Sequence, residues 1–143
     1  MKKHSKNILF MAATVASALA LAPTTQAEDH KAGVWATDQS VGNGVVSARK
    51  VVAEENGWLV VHRTDSAMKP GPVVAHAPLR AGKNMDVAAI LTEEVSAGDM
   101  LMLMVHSEAG GNQTGIFEYT LGAKEDGPIR KNGKLVTKTI TVQ

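Results

Sequence analysis

Val45-Val46-Ser47-Ala48-Arg49-Lys50-Val51-Val52-Ala53 and Trp58-Leu59-Val60-Val61-His62-Arg63-Thr64 are two β-branched runs separated by the polar turn Glu54-Glu55-Asn56-Gly57. Runs of this length and composition read as strands rather than helices, because β-branched side chains lose little freedom on a pleated surface. Asn56-Gly57 is the pair best able to take two positive φ angles, so a type I′ hairpin is expected between the runs. Working outward, apolar or alternating stretches recur at Val34–Gln39, Val73–Ala77, Asn84–Leu91, Met100–Ser107, Ile116–Thr120 and Leu135–Val142. No stretch after residue 33 holds an apolar period of 3.6.

These eight stretches predict an all-β domain, an Ig-like or Greek-key β-sandwich of about seven or eight strands. Met100-Leu101-Met102-Leu103-Met104-Val105 is apolar at every position and reads as a central strand covered on both faces. In the last stretch, Val136, Ile140 and Val142 alternate with Thr137, Thr139 and Thr141, so one face packs and the other meets water. Pro70-Gly71-Pro72 is a stiff segment where the chain is expected to change sheets, as a Greek key requires. Trp58 is expected to be a core anchor sharing a face with Val60.

The N-terminus is of a different kind. Lys2, Lys3 and Lys6 precede the uncharged stretch from Ile8 to Ala22, and Thr25-Gln26-Ala27 is a small-x-small cleavage site. Residues 1–27 are therefore expected to be a cleaved signal peptide, 28–33 a flexible leader and 34–143 the folded domain. The apolar stretch is shorter than the ~20 residues needed to cross a bilayer, so no transmembrane segment is expected after cleavage. The 143-residue chain has 15 Lys+Arg, 14 Asp+Glu and a formal charge of +1. The expected mature chain loses three lysines and no acid, and its formal charge becomes −2. That balance lacks the footprint of a nucleic-acid binder, and 3% aromatic residues provide few stacking platforms. Zero cysteines exclude disulfides, thiolate metal sites and thiol nucleophiles.

Gly57-Trp58-Leu59-Val60-Val61-His62, Pro70-Gly71-Pro72-Val73-Val74-Ala75-His76, Leu79, Ala81-Gly82, Met104-Val105-His106, Gly115-Ile116-Phe117-Glu118-Tyr119 and Asp126-Gly127-Pro128-Ile129 lead to a Val-rich closing strand. In these segments the chain resembles an uncharacterised family of secreted β-sandwich domains found in archaeal and bacterial surface proteins. The resemblance spans about Val34 to Val142 and implies an exported sandwich, with no assigned reaction.

Candidate chemistry is limited to a few residues. No Gly-x-Ser-x-Gly elbow surrounds Ser47, Ser66, Ser96 or Ser107, and Glu54-Glu55 and Glu93-Glu94 lie beside turns. Glu118 and Asp126 are the acids to test first if turnover is ever found. In a cysteine-free exported chain, imidazole and thioether are the soft donors available to copper or zinc. Counting strands up and down places His76, His106, Met85 and Glu108 at one end, with Met104 two residues before His106 on the same face. The same count places His62 at the other end, which argues against a joint His62–His106 site unless the Pro70-Gly71-Pro72 crossing changes the count. The principal expectation is a non-enzymatic module without cofactor, in the periplasm or outside the cell, that meets an envelope protein or surface ligand. The alternative is a metal-binding protein that uses His76, His106, Met85, Met104 and Glu108.

Overall fold

The computed structural model describes residues 31–143. The expected signal peptide and the start of the expected leader lie outside the described residues. Among those residues there are nine strands and no helix: β1 Gly33–Trp35, β2 Val45–Ala53, β3 Gly57–Thr64, β4 Val73–Leu79, β5 Gly82–Ile90, β6 Met100–Ser107, β7 Arg130–Lys131, β8 Lys134–Leu135 and β9 Thr137–Thr141. They form three antiparallel sheets, ordered β1-β2-β5, β4-β3-β6-β9 and β7-β8. No helix in the described residues is long and apolar enough to cross a membrane.

The two larger sheets share one apolar cluster. Leu59 and Val61 of β3, Leu101, Leu103 and Val105 of β6 and Ile140 of β9 point into it from one sheet. Val46, Ala48, Val51 and Ala53 of β2 and Ala89 of β5 meet them from the other. In β2 the inward positions switch from even to odd after Ala48. The switch falls where the partner strand carries Asp86, at φ 50°, between the Ala48↔Val87 and Lys50↔Met85 pairs. A left-handed residue rotates the local pleat and thereby changes which side chains face inward. β6 lies between β3 and β9 and is buried on both faces, which explains its unbroken apolar run.

Two connections exchange the roles expected from sequence. Glu54-Glu55-Asn56 joins β2 to β3, which lie in different sheets, so this link is a crossing and no hairpin. Neither Asn56 nor Gly57 has positive φ; the Asn56 side-chain oxygen instead accepts the Ala81 amide at 2.9 Å, tying the β2–β3 link to the β4–β5 link, both of which pass between the sheets. Gly57 is needed for close approach, because a β-carbon there would overlap the His106 carbonyl oxygen. Conversely, Pro70-Gly71-Pro72 lies in the loop between β3 and β4, which are neighbours in one sheet. The two-positive-φ turn is found at Asn132 (φ 51°) and Gly133 (φ 76°), between β7 and β8.

The expected strand at Ile116–Thr120 is absent. Residues 108–129 instead form an irregular cover over the outer face of β3 and β6. The Glu118 amide, which a ladder would have used, donates to Asp126 Oδ2 at 2.8 Å. The expected strand Leu135–Val142 is divided at Val136, whose amide donates to Ile129 O and whose carbonyl accepts from Val105.

Candidate site: a buried histidine pair under an aromatic cover

Alternation along β3 and β6 puts Trp58, Val60 and His62 opposite His106, Met104 and Met102 on the face turned away from the main core. All six are buried. What buries them is the 108–129 segment, which lays Phe117 and Tyr119 across the sheet. Of the chain's five Phe, Trp and Tyr residues, Trp58, Phe117 and Tyr119 are gathered here. Trp58 meets Phe117 edge-on at 5.5 Å, and its indole Nε1 donates to Glu108 Oε2 at 2.7 Å. Trp58 is thus an anchor, but of this second apolar layer, outside the cluster between the sheets.

His62 and His106 are 0% exposed, and their Nε2 atoms stand 3.3 Å apart. The antiparallel register explains the meeting. Trp58 pairs with His106 and His62 with Met102, so the two histidines are four positions apart along the ladder, with the Val60↔Met104 pair between them. Each imidazole reaches over that pair, and the β3–β6 register is unbroken through both residues. The two histidines do lie toward opposite ends of the β3–β6 ladder; what is corrected is the expectation that this argues against a joint site, because two long side chains on one face reach toward each other along the ladder.

Each ring is fixed through its other nitrogen. His62 Nδ1 lies 2.7 Å from the Gly71 carbonyl oxygen, and His106 Nδ1 lies 2.7 Å from the Asp126 carbonyl oxygen. A carbonyl only accepts, so both Nδ1 atoms carry the proton and both Nε2 atoms turn their lone pairs toward each other. Desolvation lowers the pKa of both, that of His106 to about 4, against the opposing pull of the carbonyl contacts. Tyr119 closes the pair edge-on, 4.6 Å from His106 and 5.8 Å from His62 between ring centroids.

Asp126 holds the cover in place. At φ 45° and 1% exposure, it accepts the Ala109 amide on Oδ1 and the Glu118 amide on Oδ2, while its own amide donates to Ala109 O. Glu108 bridges the Trp58 indole and the Gly115 amide. Glu118 accepts the Gln113 amide and the Asn112 side chain, and the Gln113 contact holds its carboxyl below the ordinary carboxylate range.

Of the metal-ligand candidates read from sequence, His106, Met104, His76 and Glu108 border the ring cluster and Met85 lies apart. His106 is in the pair and Met104 lies beside it on the same face. His76 is exposed and stacks on Phe117 at 4.4 Å. Glu108 is occupied as described, and Met85 is 51% exposed on β5 of the other sheet, opposite Lys50. Among the described residues, no three His, Cys, Asp or Glu side chains converge in a metal-binding group. The residue missed by sequence reading is His62. Its best signal was its place on the Trp58–Val60 face, and the two carbonyls that orient the pair belong to the backbone and leave no side-chain signature.

No curated protein and no solved structure matches the chain. One family does, over residues 32–143, and the chain belongs to it: the domain of unknown function DUF7282.

Proposed function

We propose that this chain is an exported, non-enzymatic β-sandwich module of Ig-like, Greek-key character, with a binding or structural role in the periplasm or at the cell surface. Its partner is an envelope protein or a surface ligand. Export is supported by the basic, apolar and small-x-small succession in residues 1–27. The observation that carries the non-enzymatic reading is the engagement of the acids nearest the ring cluster. Glu108, Glu118 and Asp126 each accept backbone amides of the cover, which makes them structural acceptors where a general acid or base would need a free proton site.

Two measurements test the reading. Cell fractionation followed by intact-mass determination should find a product lacking residues 1–27 outside the cytoplasm; a full-length cytoplasmic product overturns export. Affinity capture from an envelope extract should return a reproducible partner. Turnover on a substrate panel that is abolished by Glu118→Gln or Asp126→Asn, with the fold retained, overturns the non-enzymatic reading.

A further inference from the structure

Three polar contacts follow one another through the histidine pair: Gly71 O to His62 Nδ1, His62 Nε2 to His106 Nε2, and His106 Nδ1 to Asp126 O. Each needs one positively polarised atom between its two electronegative ends. Two neutral imidazoles bring only two N–H groups. With both placed on the carbonyls, the central contact sets two bare lone pairs against each other in a site closed to water. One cation shared by the two Nε2 atoms, a proton or a metal ion, completes the arrangement.

The surroundings select its chemistry. An Nδ1–H donated to a backbone carbonyl, with Nε2 left free, is the usual outer contact of a metal-ligating histidine, since it fixes both tautomer and ring orientation. The Nε2 separation of 3.3 Å matches the edge of a tetrahedron whose metal–nitrogen bonds are about 2.0–2.1 Å. It is too short for a linear bis-imidazole ion, which would hold the nitrogens about 4 Å apart. Further donors are thus required, and the face supplies thioethers: Met104 sits between the two histidines in register and is 1% exposed. Uncharged nitrogen and sulfur donors favour a soft monovalent ion. Asp126 is the one acid buried with them, and its carboxylate is taken up by the Ala109 and Glu118 amides, so the donors offered to the ion are uncharged.

We propose that His62 Nε2, His106 Nε2 and the Met104 thioether form a buried Cu(I) site beneath the 108–129 cover. The site goes beyond the module reading above and does not rest on it, because Cu(I) binding by the purified chain is measured whichever compartment or partner that chain has. Tyr119 and Phe117 shield the ion from water, and the cover, held by the Asp126 and Glu108 contacts, is the part that must open for entry.

The test is anaerobic titration of the purified protein with Cu(I) alone, in competition with a chromophoric Cu(I) chelator, followed by X-ray absorption at the copper edge. One equivalent should bind, with a shell of two nitrogens and at least one sulfur. His62→Gln should weaken binding by about 100-fold or more, and Met104→Leu, which conserves volume, by about tenfold with loss of sulfur from the shell. A folded wild type that takes up no Cu(I), a preference for Zn(II), or a folded His62→Gln of wild-type affinity overturns the site. If His62→Gln does not fold, the wild-type shell and Met104→Leu decide: absence of sulfur from the first, or unchanged affinity and sulfur shell in the second, overturns it.

Discussion

Gly57 and His106 bring their backbones together so closely that a β-carbon on Gly57 would overlap the His106 carbonyl oxygen. The contact lies at the start of the β3–β6 ladder, where Gly57 pairs with Ser107 and Trp58 with His106. A missing side chain therefore sets the spacing of the two strands that carry the histidine pair. The obstacle is backbone, which cannot rotate aside as a flexible side chain could.

Gly57→Ala is accordingly expected to destabilise the domain by about 1–3 kcal/mol, the range for overpacking in a closed site. The glycine has ordinary negative φ, so the cost comes from collision and not from backbone conformation. Urea unfolding of the variant checks this; an unchanged midpoint would mean that the strands separate at little cost.

Trp58 fills the second apolar layer and also donates to Glu108. Trp58→Ala should cost roughly 3–5 kcal/mol, a large share of the ~5–15 kcal/mol available to a domain. Trp58→Phe keeps most of the ring area and should lose mainly the hydrogen bond to a carboxylate, about 1.5–3 kcal/mol. Thermal melts of both variants separate the contributions: equal losses would mean that the Glu108 contact, and not ring burial, carries the effect.

The extents of β2 and β6 were legible from sequence because both are uninterrupted β-formers bounded by turn residues, Val45–Ala53 and Met100–Ser107. The path between strands was not. Asn56-Gly57 and Pro70-Gly71-Pro72 stop strands with the same chemistry whether the chain then reverses within a sheet or passes to another. Only the long-range contacts, Asn56 with Ala81 and Gly57 with His106, decide between these outcomes. Likewise, the alternation at Ile116–Tyr119 is real, yet it serves two rings packed on imidazoles and a carboxylate bound to amides. Half of the pair, His106 with Met104 beside it, could be picked out by residue type; its partner His62 required the register.

Glu118 gives the acid response a definite sign. Its carboxyl is held below the ordinary value, first by the Gln113 amide and then by Asn112. Its contribution is present above the unfolded-state pKa and is lost as pH falls through the lower folded-state value, because the unfolded chain binds the proton first. Amide exchange at Gln113 should therefore accelerate on acidification in the wild type, relative to Glu118→Gln at the same pH. A wild-type-to-variant difference that stays constant from neutral pH to below the carboxylate range would refute this assignment.

Asp126 is expected to be the residue on which the cover depends. Its two carboxylate oxygens satisfy the Ala109 and Glu118 amides, and its carbonyl receives the His106 Nδ1–H. Asp126→Ala leaves both amides without their acceptor, at about 1–3 kcal/mol for each that remains buried. The left-handed φ of 45° adds strain for alanine that asparagine tolerates better. Asp126→Asn keeps one acceptor oxygen and the backbone conformation, so its loss should be well below that of alanine. Hydrogen exchange distinguishes this local role from general destabilisation. In Asp126→Asn, protection should fall at Ala109 and Glu118 while persisting at Leu59 and Leu103 in the main core. Parallel loss of protection at all four would mean that the cover and the two-sheet core unfold as one unit.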